Sequence, residues 1–248
     1  MKNTNIESLF KKWNEYLDGK KEDETDKSLQ SHSIKHTIQE MVDDHFIFKT
    51  FNLTGYEMMK KDEKIYANLF CSNQYLIEIM KKSYFRLQCL YIGKLIESSK
   101  KIEKTCSLVH LLESIKKNSC HINRKKFCDF YSDDFIGSSI AFDAISNKNQ
   151  PDIIDNEYLD KLIKTLSEND HLKKIKNYRH QVVAHNDFTR PDYDIYMETI
   201  EECHKVISKI YREIEQNFFL AHSLFGEKSV ILTKRDVLHN ADKPFYIK

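Results

Sequence analysis

The residues best suited to chemistry in this 248-residue chain lie in the segment 171–187, HLKKIKNYRHQVVAHND. Arg179 is followed directly by His180 and, after five intervening residues, by His185. An arginine can hold a phosphate through its planar fork of donors, and a histidine can move protons near neutral pH. One group that holds a phosphate and one that transfers protons are the minimum for cleaving a phosphodiester bond.

The same segment carries a local positive charge in an otherwise neutral protein. Lys173, Lys174 and Lys176 precede the arginine, whereas the whole chain has 39 basic and 38 acidic residues and a net charge of +1. There is no bulk positive field, so any contact with a nucleic acid must come from a local patch. We expect these three lysines to form part of such a patch.

The elements that position this segment are expected to be helices. The chain has only five glycines and three prolines. Sheet-rich folds need turn residues about every 8–12 positions, and phosphate-binding loops need clustered glycines, so Rossmann and P-loop folds are excluded. Apolar residues recur at helical spacing along most of the chain. The sequence predicts an all-α bundle of long antiparallel helices, with any strand confined to the tail after Ser229.

The periodicity also predicts where the first helices lie. One amphipathic helix and a polar linker make up residues 1–30. A second helix starts after Ser31 or Ser33 and breaks within 51–62, where a glycine and a charge cluster occur. The stretch 74–98 is apolar around nearly its whole circumference, which is typical of the central helix of a bundle.

Further helical patterns follow towards the carboxyl end. Asn169 or Asp170 can cap the helix that contains the candidate segment, and Pro191 suits the first turn of a last, long helix. A helical domain is therefore predicted over residues 31–225, followed by a tail over 226–248.

Two other groups of potential metal ligands are less convincing. His32, His36 and Glu40 could share one helix face, and metal sites do use histidine pairs four residues apart, but no fourth ligand is suggested. Cys120 and Cys128 do not have the spacing of a zinc site. We therefore expect neither a metal nor any other cofactor.

The chain has no feature that directs it to a membrane or to an oxidising compartment. Its six cysteines form no C-x-x-C pair, its first residues lack the apolar stretch of a signal peptide, and no run approaches 18 apolar residues. Reduced thiols, a cytoplasmic location and no membrane partner are the expectation.

The stretch KNYRHQVVAHND resembles the signature helix of HEPN-domain ribonucleases, whose motif is an arginine, four to six residues and a histidine. The residue after the arginine is commonly polar, and here it is His180. The resemblance extends loosely over residues 66–215 and is closest to the AbiU-like branch, found in abortive-infection and toxin–antitoxin systems. It implies a helical bundle of HEPN type.

This resemblance implies a metal-independent endoribonuclease that acts as a homodimer in phage defence. His185 from both chains would supply the base for the ribose 2′-hydroxyl and the acid for the leaving 5′-oxygen. Arg179 would stabilise the transition state, and His180 would contact the phosphate or orient the catalytic histidine. The three lysines would bind the RNA, and the dimer interface would include the motif helix 170–186.

An antitoxin of nucleotidyltransferase type is a candidate partner. Some related toxins carry a tyrosine two residues after the motif histidine, which such an antitoxin adenylylates, but this chain has Asp187 there. Two other interpretations remain open. The chain could be a catalytically inactive HEPN-type scaffold that binds RNA, nucleotides or a partner protein, or it could be an unrelated helical bundle.

A regular helix does not bring the two motif residues together. Positions 179 and 185 would be about 120° apart around the axis and about 9 Å apart along it. We therefore expect either a distorted turn near Ala184 or convergence of the two residues only across the dimer.

Overall fold

The computed structural model describes residues 6–19, 33–67, 73–98, 106–131, 135–184 and 195–220. Within these ranges the chain is almost wholly helical, so the predicted all-α fold class is confirmed. The helices are α1 (Ile6–Asp18), α2 (Ile34–Lys61), α3 (Glu63–Tyr66), α4 (Gln74–Ile96), α5 (Leu108–Asn118), α6 (Arg124–Phe130), α7 (Phe135–Ile145), α8 (Asn156–Glu168), α9 (Asp170–Tyr178) and α10 (Met197–Phe219).

Side-chain caps begin six of the described helices, among them α2, α5 and α9. The Ser33 hydroxyl accepts a hydrogen bond from the His36 amide at 3.0 Å and starts α2. Ser107 does the same for α5, and the Asn169 side chain accepts from the Leu172 amide at 3.1 Å at the start of α9. Each cap satisfies an amide that has no partner within the helix. The predicted starts after Ser33 and at Asn169 are thus confirmed, whereas Pro191 lies outside the described residues.

The break expected within 51–62 occurs at Asp62. This residue has an extended backbone, ends α2 and caps the start of α3 with its carboxylate. Gly55 does not interrupt the helix, because a glycine inside a helix costs only about 1 kcal/mol relative to alanine. The predicted break is therefore confirmed at the charge cluster and not at the glycine.

A short antiparallel hairpin, β1 (Ser146–Asn147) and β2 (Gln150–Ile154), follows α7. The expectation that any strand would lie after Ser229 is therefore wrong. Arg124 of α6 fixes the hairpin, since its guanidinium donates to the Pro151 carbonyl oxygen at 3.1 Å. A hairpin this short has too few residues for an alternating pattern to be visible in the sequence.

α1 belongs to the same core as the later helices. Phe10 and Trp13 are completely buried. The Phe10 ring meets the Phe127 ring of α6 edge to face at 5.8 Å, and the Trp13 indole N–H donates to the Ser114 hydroxyl of α5 at 3.0 Å. The amino-terminal helix is therefore anchored by both apolar burial and a specific hydrogen bond.

α4 is enclosed by the bundle only in its last turns. Ile92 is fully buried, whereas Tyr75 is 81% exposed, and Leu87 and Leu90 are still 40% and 41% exposed. The expectation that the whole stretch 74–98 lies at the centre of the bundle is correct from Tyr91 onwards and wrong before it, where the helix is buried on one side only. α4 packs against α9 and so positions the candidate segment. None of the helices in the described ranges has the length and apolarity to cross a bilayer.

Candidate functional site

The helix that carries the candidate residues changes pitch at Arg179. α9 continues directly into a π-helical turn, Arg179–Ala184. Such a turn closes its hydrogen bonds over five residues in place of four, and single π turns occur frequently at functional sites. The distortion expected near Ala184 is therefore confirmed. His185 itself lies outside the described residues.

Arg179 lies flat across α4 at Gly93. A β-carbon on this glycine would overlap Cδ of the arginine and would come within 3.0 Å of its Nε and 3.1 Å of its Nη1. Gly93 is buried in the interior of α4, where glycine is unfavourable to the helix. The missing side chain is what lets the stem of Arg179 pass this close to the helix.

A carboxylate just after the end of α4 holds the guanidinium. Nη1 of Arg179 donates to Oε2 of Glu97 at 3.4 Å. The backbone of Glu97 is fixed in turn, because its carbonyl oxygen accepts a hydrogen bond from the Ser107 hydroxyl at 2.7 Å. Arg179 therefore has a defined position between α4 and the start of α5.

Among the described residues, the ion pair with Glu97 engages only one of the guanidinium's donors. The side chain of Arg179 is 29% exposed and that of Glu97 is 39% exposed. A guanidinium has five N–H donors, and only this one long bond to Glu97 engages them within the described part of the chain. The arginine is anchored, but it retains donors for a second anion.

Two of the candidate lysines line one cavity, and one of them is a neighbour of Arg179 on the helix. Lys173 and Lys176 line a cavity of about 40 Å³ together with Ser98 and Ser167. Lys176 lies about 60° from Arg179 around the helix axis, whereas Lys173 lies about 120° from it and about 9 Å along the axis. Lys174 is exposed and lies about 140° from Arg179. Of the three predicted lysines, Lys176 is therefore the one beside the arginine on the helix surface.

The remaining sequence-predicted residues are placed only in part. His180 is exposed and is the second residue of the π turn. The potential metal ligands do not converge: His36 pairs with Glu40 at 3.3 Å, and His32 lies outside the described ranges. Among the residues described, no three potential ligands could hold a metal ion.

The sequence analysis missed a polar network between α2, α4 and α10. Nδ1 of His45 lies 2.6 Å from the Tyr84 hydroxyl, and its Nε2 lies 3.6 Å from Oε1 of Glu201. Glu201 also accepts a hydrogen bond from the Lys49 ammonium at 2.7 Å. The two ring nitrogens of His45 therefore both have partners.

His204 completes this network. Its Nε2 donates to Oε1 of Gln88 at 2.8 Å, and the Gln88 amide donates to the Met41 carbonyl oxygen at 2.9 Å. Burial, with a contribution from His45, lowers the pKa of His204 to about 3. Burial also lowers the pKa of His45, although Glu201 opposes this shift. Both imidazoles are therefore neutral at pH 7.

Two signals in the sequence could have revealed these missed residues. Gln88 is an amide inside a strongly apolar helical stretch, and a buried amide requires partners. Gly93 is an isolated glycine inside the same helix, which indicates a close approach by another part of the chain. Neither signal identifies the partner, because Arg179 and His204 lie far along the chain.

Comparisons with models of known protein families, with curated proteins and with solved structures find no match to this chain. The likeness to HEPN ribonucleases is therefore supported by the motif segment and by the geometry around Arg179.

Proposed function

We propose that the protein is a metal-independent endoribonuclease of HEPN type that cleaves RNA at a site formed by Arg179 and His185, as a toxin or abortive-infection effector. The observation that supports this most strongly is the half-buried guanidinium of Arg179, which is anchored at Glu97 and keeps donors for a phosphate. Lys173 and Lys176 on the same helix would bind the neighbouring phosphates of the RNA.

The proposed reaction is a transesterification. A base takes the proton of a ribose 2′-hydroxyl, the 2′-oxygen attacks the adjacent phosphorus, and the bond to the 5′-oxygen breaks as an acid protonates that oxygen. His185 is the proposed proton-transfer group. Because one imidazole does not serve readily as base and acid in one step, a homodimer would supply the second.

Arg179 is proposed to stabilise the phosphorane-like transition state. Its donors would meet the negative charge that develops on the non-bridging oxygens, and one donor of this kind contributes about 10²–10³ in rate. His180 is proposed to contact the phosphate or to orient His185. An antitoxin of nucleotidyltransferase type is the proposed regulator, although Asp187 excludes the usual tyrosine adenylylation at that position.

The test is incubation of the purified chain with total RNA in the presence of a chelator. We expect cleavage by the wild type and none by His185→Ala, with only partial activity in Arg179→Lys because a point charge does not reproduce the bidentate fork. Arg212→Ala is the matched control, since Arg212 is an exposed arginine on α10. Full activity of His185→Ala would refute the site.

The same experiment separates the two functional classes. RNA binding without cleavage would favour the alternative, a catalytically inactive HEPN-type scaffold that binds RNA, nucleotides or a partner. The absence of both binding and cleavage would contradict either proposal.

A further inference from the structure

The first half of α4 and the middle of that helix expose large apolar side chains that no described residue covers. Monomers rarely expose contiguous apolar patches beyond a few hundred Å², and larger patches mark interaction sites. The residues concerned are between 36% and 81% exposed: Tyr75, Leu76, Ile79, Met80, Leu87 and Leu90.

Four of these residues, together with Ser83, form a regular seam along α4. Positions 76, 80, 83, 87 and 90 lie four, three, four and three residues apart, which is the spacing with which two helices interlock side chains in a coiled coil. α2 covers a neighbouring side of α4 and not the seam, because its contacts are with Tyr84 and Gln88, which lie about 80° and 120° around the helix from the centre of the seam. We define the α4 seam as Leu76, Met80, Ser83, Leu87 and Leu90, all of them exposed.

The α4 seam leads directly to the candidate site. The next positions at the same spacing are Lys94 and Glu97, and Glu97 is the acceptor of the Arg179 hydrogen bond. Gly93, on which Arg179 lies, is adjacent to Lys94 on the same helix. A partner that covers the α4 seam therefore ends beside the guanidinium.

We propose that a second copy of this chain packs its α4 seam against the first in parallel orientation, with the two-fold axis along the helix pair. The choice of the parallel orientation rests on the proposed function, because it brings both Arg179–Glu97 pairs to the same end of the dimer. An antiparallel pairing centred on Ser83 would separate the two Gly93 residues by about 30 Å along the helices.

The exposed apolar area is close to what such a dimer needs. If a fully exposed large apolar residue offers roughly 200 Å², the four apolar residues of the α4 seam and the neighbouring Ile79 present on the order of 400 Å² per chain. A stable interface takes about 800 Å² from each partner, of which a little over half is apolar.

This interface has a different centre from the one expected from the sequence, which placed the motif helix 170–186 at the contact. The exposed side chains of α9 include Lys173, Lys174 and Lys176. Two such helices face to face at the axis would oppose like charges. The α4 seam places α4 at the axis and leaves the lysines accessible to RNA.

The first test is the mass of the full chain in solution at micromolar concentration, by sedimentation or light scattering. We expect a dimer for the wild type and a monomer for Leu87→Glu combined with Leu90→Glu, with unchanged helical circular dichroism because both positions are exposed. The matched control is Ile136→Glu with Ile140→Glu on α7, which are 75% and 65% exposed and should leave the dimer intact.

Three outcomes would overturn the interface: a monomeric wild type, a dimer that survives the α4 substitutions, or equal dissociation by the control. A wild-type monomer that binds another protein through the α4 seam belongs to the first of these. A dimer that does not cleave RNA contradicts the proposed function and leaves the interface standing. RNA cleavage by a monomeric wild type contradicts the interface and leaves the proposed ribonuclease activity standing.

The orientation is tested with opposite charges at one position. Leu90→Lys and Leu90→Glu should each be monomeric, and an equimolar mixture should form heterodimers, because parallel packing places the two positions opposite each other. If Leu90→Lys instead dimerises with Leu76→Glu and not with Leu90→Glu, the helices are antiparallel and the proposal fails.

Discussion

Two polar clusters contact α4, and they differ in how completely their groups are hydrogen-bonded. In the network around His45 and His204, the imidazoles and the Gln88 amide all have partners. At Arg179 a single 3.4 Å bond to another described residue engages a five-donor group. An unsatisfied buried polar group costs about 1–3 kcal/mol, so the partners in the first cluster stabilise the fold, whereas the Arg179 side chain, which is 29% exposed, remains in contact with solvent.

The largest expected effect comes from removing the guanidinium. Arg179→Ala should lower RNA cleavage by about 10²–10³-fold, because the donors to the transition state are lost, while the unfolding midpoint stays close to that of the wild type. The measurement is initial cleavage rate beside a thermal melt. A large loss of stability with unchanged specific activity of the folded fraction would reverse the contrast between the two clusters.

The network should show the opposite behaviour. Gln88→Leu leaves His204 and the Met41 carbonyl without their partner, so the free energy of unfolding should fall by about 1–3 kcal/mol. Cleavage by the folded protein should stay within a few-fold of wild type. Urea unfolding measures the first quantity. The exposed α4 substitution Arg86→Leu serves as a control and should change stability little.

The network should also make stability depend on pH. The pKa of His204 is about 3 in the folded chain and about 6.5 when unfolded, so between these values only the unfolded state binds its proton. The free energy of unfolding should therefore be constant well above pH 6.5 and should fall by about 1–2 kcal/mol between pH 7 and pH 5. His45, whose pKa burial also lowers, adds to the fall.

His204→Gln tests this pH dependence, since a glutamine amide can still donate to Gln88 but does not titrate. Urea unfolding at the two pH values should give a smaller difference for this variant than for the wild type. His36→Gln, at a histidine paired with Glu40 on the surface of α2, is the control. An equal difference in all three proteins would assign the pH dependence to other groups.

The smallest expected effect is on the melting temperature of Gly93→Ala, which should depend on whether Arg179 is present. In an Arg179→Ala background, Gly93→Ala should raise the melting temperature by about 2–4 °C, because alanine favours the helix and nothing occupies its space. With Arg179 present, the same substitution should fail to stabilise, since the β-carbon would overlap Cδ of the arginine. Thermal melts of the four variants measure this coupling. Equal shifts in both backgrounds would show that the arginine does not lie on the glycine.

The sequence predicted those parts of the fold that are determined by residues close together in the chain. The caps at Ser33 and Asn169 and the amphipathic helix around Trp13 could be inferred because a few neighbouring residues set them. The hairpin held by Arg124 could not, because it depends on contacts with a distant part of the chain.

The same division applies to the candidate site. Arg179, His180 and the lysines lie in one segment and could be identified from residue types and spacing. Gly93 and Glu97 could not, since they are more than 80 residues away from Arg179 in the chain and become neighbours only when α9 packs on α4. The distorted turn was expected because the geometry of a regular helix conflicted with the motif.

The π turn at Arg179–Ala184 also bears on how the spacing of the motif can vary. Adding one residue to a regular α-helix rotates everything after it by about 100°. A π turn accommodates an added residue within a wider loop of backbone, so the residues beyond it keep their direction. A helix that can switch between the two pitches therefore tolerates insertions and deletions at this point. The motif that the segment resembles, with four to six residues between arginine and histidine, is compatible with a helix of this kind.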